Sequence, residues 1–199
     1  MKWLTRRGVA AAVGVGVATG YGLGWRGLLL MLAFFISSSL LSTKKTSRDH
    51  RQVLANGGVA ALAALAGSWI ACAGALAAAN ADTWATEIGR FSPTSPRLIT
   101  NGARVPTGTD GGMTLLGTAG GIAGAVFMAG LGAVLLRGVA PGHPHPGWFV
   151  TAVAIAGIVG MLVDSLLGAT VQGKARWMDN DAVNLAATLT GAACAALIA

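Results

Sequence analysis

Long apolar runs separated by short, mostly basic segments set the pattern of this chain. Runs over 8–24, 25–43, 113–136, 147–172 and 182–199 each approach the about 20 apolar residues that a helix needs to cross a bilayer. The stretch 57–80 is different. As one span it would carry the chain across; as a hairpin turning near Gly67 and Ser68 it returns the chain to the side it left. Cytoplasmic loops carry an excess of Lys and Arg, and this rule discriminates between the two. With a hairpin, Lys2, Arg6, Arg7, Lys44, Lys45, Arg48, Arg51, Arg90, Arg97, Arg104, Lys174 and Arg176 share the inner side, leaving only Arg26 and Arg137 outside. With a single span, Arg90, Arg97, Arg104, Lys174 and Arg176 move out and Arg137 moves in. The hairpin keeps the asymmetry. Interfaces favour tryptophan, and Trp3, Trp84 and Trp177 then fall at the inner boundary, with Trp25, Trp69 and Trp148 at the outer one.

The pattern predicts an all-α, polytopic transmembrane helical bundle forming a single integral-membrane domain over 1–199. It has about seven helical segments, each long enough to span or re-enter the bilayer, including a hairpin or re-entrant pair at roughly 52–90. Its N-terminus is cytoplasmic and its C-terminus outside. A helix over 57–80 is about 36 Å long, too short for two crossings of a ~30 Å core. The arms are therefore expected to extend toward Arg51 and Arg90, or the pair is re-entrant. Met1 to Arg7 followed by an apolar run resembles a secretion signal, but the second run follows at once, so a retained first span is expected.

Composition supports this reading. Hydrophobic residues make up 54% and charged residues 11%, against roughly 25% charged in soluble domains. Thirty glycines suit helices packed through small residues, and Gly117, Gly120, Gly121 and Gly124 form overlapping packing patterns. The net charge of +7 is spread over short loops and makes no basic face, which excludes nucleic acid as a partner. Cys72 and Cys194 each sit in an apolar run and read as packing residues, without disulfide or zinc spacing.

Only seven residues are acidic, and in this topology Asp49, Asp82, Glu87, Asp110, Asp164, Asp179 and Asp181 all lie at or inside the cytoplasmic boundary. Asp164 falls within an apolar run, and an intramembrane carboxylate marks a functional site. Gly160, Asp164, Gly168 and Gln172 recur every four residues, as a small-and-polar stripe. The plainer reading is a packing face with one hydrogen-bonded acid. On the hairpin's second arm, Thr83 and Glu87 are i, i+4 neighbours beside Asp82 and Thr86. Two carboxylates one to two turns apart can share a divalent cation with water and phosphate oxygens; a solvated helix end is the alternative.

Val105-Pro-Thr-Gly-Thr-Asp-Gly-Gly-Met-Thr114 runs directly into an apolar helix. Glycines there let backbone N–H groups turn inward, and a helix start favours an anion. Arg97 and Arg104 bring charge suited to phosphate. Gly111 is expected to lie outside the packed helix, so Gly111→Val should harm nucleotide binding and spare the fold. Arg51-Gln-Val-Leu-Ala-Asn-Gly-Gly58 is read as a second such segment, with Lys45, Arg51 and Asn56 as donors. Asp179-Asn-Asp-Ala-Val-Asn184 opens the last helix, with Asp181 as a good N-cap. No Walker A motif is present, and His143-Pro-His-Pro146 reads as an outer, proline-stiffened turn.

Asn80-Ala-Asp-Thr-Trp-Ala-Thr-Glu-Ile-Gly89, Pro96-Arg-Leu-Ile-Thr100 and Val105-Pro-Thr-Gly-Thr-Asp-Gly-Gly112 resemble the signature blocks of one integral-membrane family. It was long catalogued as a domain of unknown function and includes the plant chloroplast phytyl-phosphate kinases. Arg51–Gly58, Asp164–Gln172 and Asp179–Asn184 fit it too. The family often has Asn where this chain has Asp110, and Ser where it has Thr86; these differences bear on the acceptor and nucleotide more than on the reaction. The resemblance implies a kinase moving a phosphoryl group from CTP, or another NTP, to a phytyl or prenyl monophosphate at the cytoplasmic face of a bacterial or archaeal plasma membrane. Phosphoryl transfer itself needs positioning and charge neutralisation. Asp82, Glu87 and Asp164 are therefore taken as catalytic acids and ligands of Mg²⁺. Lys45, Arg51, Asn56, Arg97, Thr100, Gly108, Thr109, Asp110, Gly111, Gly112, Asn180 and Asn184 are taken as nucleotide- and phosphate-binding. Expected partners are the lipid phosphate, the nucleotide and membrane lipid, and homo-oligomerisation is left open. The alternatives are a membrane cytidylyltransferase forming a CDP-lipid, which would use the same parts, and a transporter, against which stand the absence of an internal repeat and the one-sided acids.

Overall fold

The computed structural model describes residues 3–42, 47–136 and 146–198. Six helices are described: α1 (Arg6–Leu41), α2 (His50–Leu65), α3 (Trp69–Gly89), α4 (Leu115–Leu136), α5 (Pro146–Thr170) and α6 (Asn180–Ile198), with two short strands, β1 (Arg97–Leu98) and β2 (Gly112–Met113), between α3 and α4. The chain is an all-α polytopic membrane protein; α1, α4, α5 and α6 are each long and apolar enough to span a bilayer. Its exposed surface fits lipid contact, with Tyr21, Leu115 and Leu197 almost fully exposed.

α1 is broken at Gly24, whose φ of 66° and ψ of −164° belong to a backbone region open essentially to glycine alone. The break divides α1 where the runs 8–24 and 25–43 were expected to meet, and it folds the chain back on itself. Trp3 lies edge-on to Phe35, with ring centroids 5.9 Å apart, and a Cβ at Gly16 would touch Leu28. A continuous helix would hold each of these pairs far apart.

The expected hairpin is present. α2 ends at Leu65, the chain turns through Gly67 (φ 72°), and Ser68 caps α3 by accepting a hydrogen bond from the Ala71 amide. The arms reach His50 and Gly89, as the length argument required. α2, at 16 residues, is about 24 Å long and falls short of a full ~30 Å crossing. Arg51–Gly58 is not a glycine turn: it is regular α2 helix. Gly57 there packs toward Val15 and Met31 of α1.

α3 is the axis of the bundle and packs against all five other helices. Its run from Cys72 to Ala81 is wholly buried. Small residues permit this crowding: a Cβ at Gly74 would overlap Ala195 and the Gly191 carbonyl of α6, and one at Gly160 would overlap Ala78. The glycines of α4 read as packing residues do pack, Gly121 against Met161 and Gly124 against Asn80 and Trp84. Cys72 is buried, and both cysteines are free.

Asn80 ties three helices together at full burial. Its Nδ2 donates to the Gly124 carbonyl of α4 at 3.0 Å, and its Oδ1 accepts from Ser37 and Ser38 of α1 at 3.1 and 3.2 Å. Asn80→Leu should remove all three bonds, leaving Ser37 only its contact with the Phe34 carbonyl, and lower stability by roughly 2–4 kcal/mol, read as a fall in the unfolding midpoint of the detergent-solubilised protein. An unchanged midpoint would show that water or other partners satisfy those groups.

Candidate functional site

Helix direction gathers one end of the bundle. α2 and α6 begin there, α3 and α5 end there, and the 90–114 connection closes it. Trp3 and Thr5 clamp Arg48 by backbone hydrogen bonds of 2.9 and 3.0 Å. The Arg51 guanidinium reaches Asp179 at 2.5 Å and Asp181 at 3.6 Å, joining the starts of α2 and α6.

The 90–114 connection forms a small ribbon. β1 and β2 pair antiparallel, Arg97 opposite Met113 and Leu98 opposite Gly112, and Ile99 donates to the Gly111 carbonyl at 3.1 Å. Gly108 and Gly111 have φ of 92° and 72°, which supplies the predicted sharp turn. Thr114 then caps α4, accepting from the Gly117 amide at 2.9 Å. The expectation that Gly111 stands clear of packing is overturned. A Cβ there would sit 2.4 Å from Ala169 Cβ and 2.5 Å from the Ser165 carbonyl of α5. The turn is docked on the helix that carries Asp164.

A cavity of about 210 Å³ forms between this turn, the end of α3 and the end of α5. Asp82, Thr86, Arg90, Gly108, Thr109, Asp110, Gly111, Gly112, Asp164, Gln172 and Asn180 all line it. The carboxyl groups of Asp82 and Asp164 lie in hydrogen-bonding contact, with the charge of Asp110 near enough to act on Asp164. The second oxygen of Asp164, Oδ2, is buried and has no protein donor. A buried carboxylate oxygen left this way carries a desolvation cost, and a cation or a donor on a ligand would relieve it. Along the predicted stripe of α5, Gly160 packs, Asp164 and Gln172 face the cavity, and Gly168 meets the glycine turn. The packing reading holds at Gly160; Asp164, about two turns before the end of α5, and Gln172, in the turn just beyond it, line the cavity.

Glu87 takes a different place. It is buried, accepts from Ser42 at 3.2 Å and pairs with Arg90 at 3.0 Å. It lines a second polar cavity of about 110 Å³ with Ser42, Arg48, Gln52, Asn56 and Asn184, and this cavity shares Asp82, Thr86 and Asn180 with the first. The structure thus joins Asp82 to Asp164 in the first cavity, while Glu87 lines the second, which Asp82 also reaches. Among the described residues, no three His, Cys, Asp or Glu side chains converge as a metal site.

The remaining expected residues divide. Asn180 lines both cavities, while Asn56 and Asn184 line the second. Arg97 lines a separate open groove with Arg104 on the ribbon, and its guanidinium donates to the Gly102 carbonyl at 2.9 Å. Thr100 is exposed at the ribbon's tip and lines none of these cavities. Arg51 is held by its two aspartates. Lys45, with Lys44 and His143-Pro-His145, lies outside the described residues. Asp179, rather than Asp181, is the N-cap of α6, accepting from the Ala182 amide at 3.0 Å. That amide, with Arg51, holds Asp179 below the usual carboxylate range. Among the described residues, the cations that line the two cavities are Arg90 and Arg48, which the sequence marks only as topology signals. For Arg90 the i, i+3 spacing from Glu87 was an available clue. For Arg48 there was none, since its place depends on α1 folding back beside α2.

The family model for the integral membrane protein DUF92 matches residues 1–192. The chain belongs to this family. It is the family whose signature blocks the sequence resembles, and those blocks are the segments that meet around the two cavities. An uncharacterized membrane protein of Methanocaldococcus jannaschii is 37% identical over 99% of this chain and 86% of its own length. An uncharacterized membrane protein of a Synechocystis strain is 31% identical over 98% of this chain and 82% of its own. The chloroplastic protein VTE6 of Arabidopsis thaliana is 27% identical over 92% of this chain and 61% of its own. No solved structure matches the chain at a significant level.

Proposed function

We propose that this DUF92 protein is a membrane phosphotransferase that moves the terminal phosphoryl group of a nucleoside triphosphate, CTP in the first instance, onto an isoprenoid monophosphate to make the diphosphate. The observation that carries this reading is the Asp82–Asp164 carboxyl pair, with the donor-less Asp164 Oδ2, facing the Gly108–Gly112 turn. Magnesium is commonly held by one or two carboxylates together with substrate phosphates, and this donor set fits it. Asp82 and Asp164 would hold the magnesium, which when bound would supply charge neutralisation for the transferring group.

The chain's own residues do the rest. The amides of Thr109, Gly112 and Gly117 bond within the protein; the remaining amides of the glycine turn would meet the nucleotide phosphates. Arg90, placed by Glu87, adds positive charge on the wall of the same cavity. A phosphate oxygen of the acceptor attacks the γ-phosphorus, a new P–O bond forms, and the bond to the β–γ bridging oxygen breaks. The nucleoside diphosphate leaves with that electron pair. The site is assigned to the cytoplasmic face because, among the described residues, Arg48, Arg51, Arg90, Arg97 and Arg104 of the hairpin reading's inner set belong to the segments that form this end of the bundle, and basic residues favour the cytoplasmic side.

The test is transfer by the purified protein from γ-labelled CTP, ATP or GTP to a panel of prenyl and phytyl monophosphates. Labelled lipid diphosphate with release of nucleoside diphosphate is the expected result. Pyrophosphate release with a CDP-lipid would replace this reading by cytidylyl transfer, and no transfer from any donor would overturn it.

A further inference from the structure

Beyond the two polar cavities, an apolar groove of about 100 Å³ runs between the folded-back arms of α1 and helix α2. Val15, Gly16, Leu28, Met31, Phe35 and Val53 line it. Its polar end is formed by Arg48, Gln52 and Asn56, and these three residues and Phe34 also line the Glu87 cavity. That cavity in turn reaches Asp82, Thr86 and Asn180 on the wall of the nucleotide cavity. The apolar groove, the Glu87 cavity and the cavity of the carboxyl pair therefore adjoin in sequence, with Arg48 on the wall between the first two and Asp82 on the wall between the last two. Leu32 lines the groove and is 40% exposed, so the groove is open along its lipid side.

Arg48 is held in place at the junction. Its backbone is clamped by Trp3 and Thr5, its guanidinium lies 6.0 Å from the Phe35 ring, and Nη1 contacts Ser39 Oγ at 3.4 Å. Burial pulls this arginine below its ordinary value, against the opposing charge of Glu87. A guanidinium is weakly hydrated, presents a planar donor fork that suits phosphate, and is costly to bury without an anion.

We propose that the α1–α2 groove holds the apolar tail of the acceptor and that Arg48, with Gln52 and Asn56, binds its terminal monophosphate, so that acceptor and nucleotide approach Asp82 from opposite sides. The assignment rests on the kinase reading for its occupant. It adds where that occupant lies and what selects it: a single terminal phosphate on an unbranched-headed apolar chain. Because the groove opens to lipid, chains longer than the groove are accommodated, and the first isoprene units are the ones that the protein reads.

Binding is tested apart from turnover. The thermal unfolding midpoint of the detergent-solubilised protein is measured with a twenty-carbon prenyl monophosphate, a five-carbon prenyl monophosphate, phosphatidic acid, and magnesium–CTP. The wild type should be stabilised by the twenty-carbon compound well above phosphatidic acid. Arg48→Gln should weaken that binding by about tenfold or more, Arg48→Lys should restore part of it, and magnesium–CTP stabilisation should be kept in both. Gly16→Leu directs a side chain into the groove from a position where the added Cβ meets only Leu28, at 3.6 Å. It should weaken the twenty-carbon compound and spare the five-carbon one. No shift with the wild type, an equal shift with phosphatidic acid, or an unchanged shift in both Arg48→Gln and Gly16→Leu would overturn the assignment. Prenyl monophosphate binding that behaves as described without phosphoryl transfer would leave this site standing and remove the kinase reading instead.

Discussion

Asp82→Asn and Asp164→Asn should each slow phosphoryl transfer by roughly 10²–10³-fold, the usual size of losing one preorganised charged group at a transferring centre. Neither should harm the fold. Two carboxyl groups in contact repel when both are ionised, and Asp164 Oδ2 has no protein donor, so an amide at either position removes repulsion and brings a donor. The unfolding midpoint should hold or rise as activity falls. Magnesium gives the second readout. Millimolar magnesium with CTP should stabilise the wild type by mass action, and both variants should lose most of that shift. Activity retained in both variants would reduce the pair to a packing contact within α3 and α5. Activity lost with the magnesium–CTP shift intact would keep the acids in the chemistry and remove them from metal binding.

Gly111→Val should be among the most damaging single changes in the chain. The residue needs φ of 72°, which a β-branched side chain resists. Its new Cβ would also fall 2.4–2.5 Å from Ala169 and the Ser165 carbonyl. Backbone strain and overpacking together cost about 2–6 kcal/mol, delivered where the turn docks on the helix that carries Asp164. Gly58→Val has the opposite expectation: nothing lies within 4 Å of its Cβ, and glycine inside a helix is itself unfavourable by about 0.5–1 kcal/mol relative to alanine. A near-neutral midpoint for Gly58→Val beside a large drop for Gly111→Val is the expected pair, measured by thermal unfolding in detergent. Equal midpoints would mean that the turn undocks freely from α5. Because Gly111 is structural as well as placed at the cavity, Gly108→Val is the sharper probe of phosphate binding. Gly108 has φ of 92° and open space around it, so Gly108→Val carries backbone strain of about 1–3 kcal/mol without the overpacking expected at Gly111, and should weaken nucleotide binding at a smaller cost to folding.

Some of this was written along the chain. Apolar runs of bilayer length and the one-sided basic residues gave the membrane bundle and the 52–90 hairpin, because both are properties of composition counted over a window. The break at residue 24 was visible as two runs meeting at a glycine. The motif blocks gave the family, and the rarity of acids in an apolar chain made Asp82 and Asp164 stand out, since a carboxylate in a membrane helix is expensive wherever it sits.

What only the tertiary structure decided is which of these residues meet. Spacing along α3 made Asp82 and Glu87 look like one pair of ligands; they do share the second cavity, but the carboxyl group that meets Asp82 in the first comes from α5, more than eighty residues later. Arg97 and Arg104 seemed natural phosphate ligands beside the glycine turn, but the ribbon's strand pairing sets them on another groove. Arg51 was spent on Asp179 and Asp181 at the start of α6. Arg48, which the chain shows only as one more loop cation, reached the junction of the groove and the cavities because Gly24 folds α1 back beside α2. A local pattern fixes the helix a residue rides on and the face it occupies. The neighbour on that face comes from helices distant in sequence, and close approach at glycine contacts such as Gly74–Gly191 and Gly111–Ser165 is what sets it.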